Sequence, residues 1–223
     1  MIRRLLIAAF LMACAANGVA SEICPRTDLS TEWSEKCFEV HGPVRKVKSQ
    51  FVSKLRSRGN AIKILVSETR ELLAVNPRGR VILPNIAYTG DFDLPNPDGV
   101  GRFRSGTSLE EGTKGQCGYF RDKNFKIIAA PKFDYCEAFS DGRGQACVDC
   151  VAYCDDEECL SKTLVGGHGV ELDIEGKIRR RFELPNMDEI CGKSDGVRIE
   201  KLINGMSRLH CSAKKSGPFD RLK

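Results

Sequence analysis

Cys147-Val-Asp-Cys150, Cys154 and Cys159 crowd four thiols into one short stretch, and His168 follows nearby. Three chemistries use such a cluster. Four thiolates with two to four residues between neighbours suit tetrahedral zinc. The two-residue spacing of Cys147 and Cys150 is that of thiol oxidoreductases. In an oxidising compartment the same four cysteines close as two local disulfides. Oxidoreductases set the reactive pair at a helix start, where the dipole lowers a thiol pKa. Here Gln145-Ala-Cys-Val-Asp-Cys-Val-Ala-Tyr153 reads as a strand. The favoured expectation is two disulfides tying down the acidic loop Asp155-Asp-Glu-Glu158.

The compartment decides between these readings, and the N-terminus bears on it. Met1-Ile-Arg-Arg4 is a short positive segment, Leu5 to Ala16 is uncharged and apolar, and Gly18-Val-Ala20 supplies small residues before Ser21. That is the three-part pattern of a secretory signal peptide, cut between Ala20 and Ser21. Leu11-Met-Ala-Cys14 resembles a bacterial lipobox, so a lipid anchor at Cys14 is the alternative. Of the chain's eleven cysteines, removing or lipidating Cys14 leaves Cys24, Cys37, Cys117, Cys136, Cys147, Cys150, Cys154, Cys159, Cys191 and Cys211. An even set in an exported chain implies a disulfide framework. Short closures are the cheapest, which favours Cys24 with Cys37 and Cys191 with Cys211.

The elements that position these residues follow from pattern. The chain has 223 residues, 41% hydrophobic and 29% charged, which suffices for a packed core and excludes general disorder. No later run is apolar over the length a transmembrane span needs. With 35 Lys and Arg against 30 Asp and Glu, the net +5 is too small to indicate nucleic acid. Residues 21–43 read as irregular, with Pro25, Pro43 and the single tryptophan, Trp33. Val44, Val47, Phe51, Val52 and Leu55 share a helical face, so a helix is expected over 44–55. Its other face carries Arg45, Lys46, Lys48 and Lys54, read as solvated, with an anionic surface as the alternative. From Ala61 onward short β-rich runs alternate with Gly, Asn, Asp and Pro, as in antiparallel strands. Arg198 to Ile203 and Met206 to His210 flank Asn204-Gly205, a type I′ hairpin signal.

A pattern recurs along this region. Asp122-Lys-Asn-Phe-Lys126 leads to an apolar strand, Pro131 and Asp141-Gly142. Asp173-Ile-Glu-Gly-Lys177 leads to a strand, Pro185 and Asp195-Gly196. Asn76-Pro-Arg-Gly-Arg80 leads past Pro84 to Asp98-Gly99. The starts, Asn76, Asp122 and Asp173, lie 46 and 51 residues apart. Each copy is too small to bury a face alone, so neighbours must supply the core. Ile127 and Ile128 are expected in that shared core.

At these residues the chain resembles the bacterial WG-repeat family, whose units run Trp-Gly-Tyr-Ile-Asp, a Gly-Lys turn, an apolar strand, Pro-Lys-Tyr-Asp and Phe-x-Glu-Gly. The middle copy is similar over Cys117-Gly118-Tyr119-Phe120, Asp122, Lys126-Ile-Ile, Pro131-Lys132-Phe133-Asp134 and Ala138-Phe139-Ser140-Asp141-Gly142. His168-Gly169 and Asp173-Ile-Glu-Gly176-Lys177 match the start of the next. The family's tryptophan position holds Cys117, His168 and, in the first copy, Glu71-Leu72. The resemblance covers about residues 71–200 and carries fold more than chemistry. It implies a mainly β fold of antiparallel hairpin and meander repeats in about three degenerate copies, to which the residue patterns add one N-terminal amphipathic helix and the cysteine set a disulfide-rich framework. The expected organisation is a leader at 1–20, an N-terminal segment at 21–60 and a β-repeat domain at 61–211. Its copies lie near 71–103, 117–148 and 168–200, with a Cys-rich acidic insertion at 149–167. Residues 212–223 form a tail.

Catalytic signals are sparse. The chain contains no Gly-Lys-Ser/Thr phosphate loop and no Gly-x-Ser-x-Gly elbow. His41, His168 and His210 lie far apart. Asp91 and Asp93 flank Phe92 as a candidate carboxylate pair, and Gly166-Gly167-His168-Gly169 offers backbone amides to an anion. The resemblance instead makes Gly169 the repeat's own glycine. No residue is assigned to catalysis, to a cofactor or to a metal, and no cofactor is expected. The expected function is a periplasmic or secreted, non-enzymatic binding or scaffold protein of the cell envelope. Its partner is a protein or an envelope component, with neither nucleic acid nor a membrane span. A thiol-disulfide oxidoreductase using Cys147 and Cys150 is the alternative.

Overall fold

The computed structural model describes residues 23–42, 44–57, 59–87, 97–105, 115–192, 197–203 and 205–211. The leader with its Ala20–Ser21 junction, Cys14, Asp91, Asp93 and the 212–223 tail lie outside them.

The N-terminal segment is more regular than its composition suggests. Strand β1 (Glu32–Trp33) is followed by a hairpin of β2 (Phe38–His41) and β3 (Val44–Val47), then one helical turn, α1 (Ser49–Val52). The helix expected over 44–55 is thus strand first and helix only at its middle. Val44 and Val47 satisfy a helical spacing, but they are β-branched and fit a pleated strand better. They pair across to His41 and Phe38. Phe51, Val52 and Leu55 still pack inward, against a core built on Trp33, Phe38 and the Cys24–Cys37 bridge.

Strands β4 (Ile62–Val66), β5 (Glu71–Val75) and β6 (Val81–Leu83) complete a first sheet in the order β1-β4-β5-β6. Strands β7 (Val100–Arg104), β8 (Cys117–Arg121) and β9 (Lys126–Phe133) form a second, with Ile86 bridged to Phe103 at its edge. Strands β10 (Tyr135–Cys136) and β11 (Arg143–Val148) open a third. After β12 (Val151–Cys154) and β13 (Lys162–Val165), that sheet is completed by β14 (His168–Asp173) and β15 (Ile178–Glu183), in the order β10-β11-β14-β15. The stretch 71–103 starts on the hairpin of the first sheet and ends on a strand of the second. The stretch 117–148 passes in the same way from the second sheet to the third.

Two of the three turns agree bond by bond. In Asn76–Arg80 the Asn76 side chain accepts from Arg78 and Arg80 N–H, and Gly79 holds φ 83°. In Asp173–Lys177 the Asp173 side chain accepts from Glu175 and Lys177 N–H, and Gly176 holds φ 80°. The middle turn puts Phe125 at φ 56°, a conformation disfavoured for an aromatic residue. Its ring stacks on Phe120, which compensates.

Successive sheets are welded together. The second and third share one core containing Val100, Tyr119, Phe133, Phe139, Val170 and Leu172. The Cys117–Cys136 bridge crosses between them. The Tyr119 hydroxyl lies 2.9 Å and 2.8 Å from the carbonyl oxygens of Glu137 and Gln145. Gly142 N–H donates to the Asp98 carboxylate at 3.0 Å, tying one Asp-Gly bend to the next.

The stretch 149–167 is not a projecting insertion. Its strands β12 and β13 join a fourth sheet with the C-terminal hairpin. Between them in sequence comes α2 (Met187–Cys191), set by a capping box of Asn186 and Glu189 that the sequence reading overlooked. Strands β16 (Arg198–Lys201) and β17 (Ser207–His210) follow, and the order is β13-β12-β17-β16, with β12 parallel to β17. The hairpin closes one residue wider than a two-residue turn. Leu202 N–H donates to Met206 O, Gly205 N–H donates to Leu202 O, and Gly205 takes φ 81°. The two-residue turn expected at Asn204-Gly205 is not formed, and Asn204 itself lies outside the described residues.

Candidate functional site

The ten cysteines of the described chain pair as Cys24–Cys37, Cys117–Cys136, Cys147–Cys150, Cys154–Cys159 and Cys191–Cys211. The dense cluster bridges within itself, as the disulfide reading expected. Cys147 is fully buried within β11, opposite Gly169, and Cys150 is half-buried at the corner before β12. Asp149 turns that corner at φ 57° and donates its N–H to the Asp134 carboxylate at 2.6 Å. Gly167 packs so closely that a β-carbon there would lie 2.2 Å from Val148 O. Gly166 N–H is taken by Pro185 O. The glycine run therefore serves the corner rather than an anion.

The acidic loop is held from inside. Asp156 accepts from the N–H groups of Leu160 and Ser161 and from the Ser161 hydroxyl. These donors, with Leu160 N–H foremost, keep its carboxyl below the usual carboxylate range. Asp155 accepts from the Thr163 hydroxyl at 2.7 Å. Among the described residues no three His, Cys, Asp or Glu side chains converge as a metal-binding set.

The structure does not bring the three histidines together. His41 Nε2 lies 3.3 Å from Glu39, His168 Nδ1 lies 2.9 Å from Glu183, and His210 Nε2 lies 2.6 Å from Glu200. Each pairs with a glutamate of its own hairpin. The supposed basic face is also dispersed. Lys46 pairs with Glu39, Lys54 Nζ donates to Cys24 O at 2.9 Å, and Arg45 turns inward to Glu71.

Two constellations escaped the sequence reading. The first is the ion pair of Arg45 with Glu71, which is 1% exposed and also accepts from Asn85 N–H. Burial pushes the Glu71 carboxyl up, while Arg45 pulls it the other way. The second is a cleft of about 600 Å³ beside the Cys24–Cys37 bridge, between Ile23, Pro25, Glu32, Ser34, Lys36 and Glu68. Ser34 Oγ donates to one Glu68 oxygen at 2.5 Å, and Glu35 N–H donates to the other at 2.8 Å. The Ser34 hydroxyl, then the Glu35 amide, hold the Glu68 carboxyl below its ordinary range. The cleft thus offers fixed carboxylate charge, the Lys36 side chain and an apolar wall. No local signal announces it, because Ser34 and Glu68 stand 34 residues apart.

No family model, no curated protein and no solved structure matches the chain.

Proposed function

We propose that the mature chain is an exported, non-enzymatic binding protein of the bacterial cell envelope, built on WG-like β repeats. The observation that carries this reading is the pairing of all ten cysteines other than Cys14 into five bridges. Such a framework is maintained in an oxidising compartment. The three-part N-terminus points to the same place. No helix among the described residues is long and apolar enough to cross a membrane. A stack of small sheets with shared cores is a rigid support, and such supports recognise partners through the surfaces they align. The cleft at Ser34 and Glu68 is the recognition site of this reading. Its ligand is a polar envelope component or protein segment that supplies hydrogen-bond donors to the carboxylates and an apolar group to Ile23 and Pro25.

The test uses the full chain expressed in a bacterial host. Fractionation should place it outside the cytoplasm, with N-terminal sequencing beginning Ser21-Glu-Ile and no free thiols after denaturation. A photo-crosslinker at Lys36 should trap one defined envelope species, and a Glu68→Lys variant carrying it should not. Cytoplasmic retention with free thiols, or crosslinking indifferent to Glu68→Lys, overturns the proposal.

A further inference from the structure

The fourth sheet ends on β16, and among the described residues no strand covers its outer side. All four β16 residues are exposed, Ile199 at 48%. The hairpin fixes which main-chain groups face outward. Leu202 N–H points across to Met206 O. By alternation the groups of Glu200 and Arg198 also point at β17, where they stand opposite Arg208 and His210. The N–H and C=O groups of Val197, Ile199 and Lys201 therefore point out of the free edge. Edge strands normally block this with charge or proline. Here Arg198 and Glu200, two residues apart, have opposite sign, and Lys201 Nζ is drawn back across the hairpin to the Ser207 hydroxyl at 2.8 Å.

The geometry points to β16 as a self-pairing edge whose occupant is the β16 of a second copy, antiparallel, with Ile199 on the two-fold axis. In that register the outward amides and carbonyls of Ile199 meet those of its counterpart, and Val197 meets Lys201 of the second copy. Ile199 packs on Ile199 on one face of the ribbon. On the other face Arg198 stands opposite Glu200 of the second copy, and the symmetry makes the same pair twice. Opposite charges directly across a ladder stabilise it, and like charges oppose it. Arg198 forms no ion pair among the described residues. Glu200 uses Oε2 toward His210, which leaves Oε1 for the incoming guanidinium. A slip of one residue would set the inward-bonded groups against the partner and put Ile199 on the charged face, so one register is favoured. The ribbon is short, so the contact belongs to the weak, concentration-dependent class.

Sedimentation of the mature, oxidised chain from about 1 μM to about 1 mM reads this directly. The wild type should pass from monomer to dimer. Arg198→Glu places like charges at both pairs and should weaken association about tenfold or more. The charge swap R198E/E200R restores opposite charges only in the self-paired register and should recover the dimer. Ile199→Pro removes an outward amide and leaves the β17 ladder intact, so it should abolish dimerisation with circular dichroism unchanged. A wild type that stays monomeric overturns the inference. Dimers that survive Arg198→Glu and Ile199→Pro overturn it as well, because they must form elsewhere.

Discussion

Gly101 stands directly across the ladder from Phe120, and the ring covers the place a side chain would take: a β-carbon on Gly101 would lie 2.4 Å from it. Gly169 and Phe182 repeat the relationship in the third sheet, at 2.2 Å. These glycines are required for room, not for an unusual φ. The two sites differ in whether the ring can yield. Phe120 is buried against Phe103 and Phe125, whereas Phe182 is half-buried on the edge strand β15. Gly101→Ala should destabilise by about 1–3 kcal/mol, the range for overpacking, and Gly169→Ala by clearly less. Urea titrations of the two variants check this, and equal losses would mean that Phe182 is as confined as Phe120.

Arg45 and Glu71 form an ion pair withdrawn from water, with side chains 13% and 1% exposed. Removing one partner leaves the other charge stranded, so Arg45→Met should cost about 3–5 kcal/mol. The double variant R45M/E71L removes both charges and should recover most of that loss. The pH dependence has a definite sign. Burial raises the folded-state pKa of Glu71, so its contribution is fully present below the unfolded value and is lost as pH rises through the folded one. Without Arg45 the raise is larger and the loss is steeper. The deficit of Arg45→Met should therefore grow between about pH 4 and pH 7. Denaturant midpoints at those two pH values measure it, and a deficit independent of pH would place the effect in packing alone.

Ile127 and Ile128 are neighbours with opposite fates, though both are expected in the core from sequence. Ile127 is 44% exposed, while Ile128 packs on the core shared by the second and third sheets. The turn at Gly176 presses on the Ile128 carbonyl, leaving no room for a β-carbon there. Ile128→Asp should destabilise by about 1–3 kcal/mol, because it sets a charge against that core from a half-buried position. Ile127→Asp should stay within about 1 kcal/mol of the parent. Thermal melts separate them, and a large loss at Ile127 would relocate the buried face of β9.

What is legible in this sequence is local. The turns at Asn76, Asp122 and Asp173 announce themselves because a side chain two or four residues away satisfies the backbone. Close cysteines announce their bridges because short loops close easily. The stretch 44–55 misleads because valines at helical spacing also suit a strand, and the partner that decides, β2, lies outside the window. The fourth sheet is hidden for the same reason. Its parallel contact sets Cys154 beside Arg208, and no pattern near either residue encodes the other. The Ser34–Glu68 cleft is likewise assembled by the fold.

The bridges divide by what they cross. Cys147–Cys150 closes a separation of 3 residues at a corner, and Cys154–Cys159 closes 5 within one loop. Cys117–Cys136 closes 19 and fastens β8 of the second sheet to β10 of the third. In the chain-entropy account the constraint on the unfolded state grows with the logarithm of the loop. That gives about 2 kcal/mol for the tightest bridge and about 3 kcal/mol for Cys117–Cys136. The longer bridge also carries a buried pair in the shared core, so opening it disturbs packing that the corner bridge does not touch. C117S/C136S should therefore lower the melting temperature more than C147S/C150S. Replacing Cys147, Cys150, Cys154 and Cys159 together with Ser should weaken the fourth sheet and its junction with β11, where Cys147 is buried, and leave the β content of the first and second sheets intact. Calorimetry with peptide mapping under non-reducing conditions tests the ranking. A larger loss at Cys147–Cys150 would show that the corner, not the joint between sheets, limits stability, and stoichiometric zinc in the wild type would overturn the pairing of that cluster.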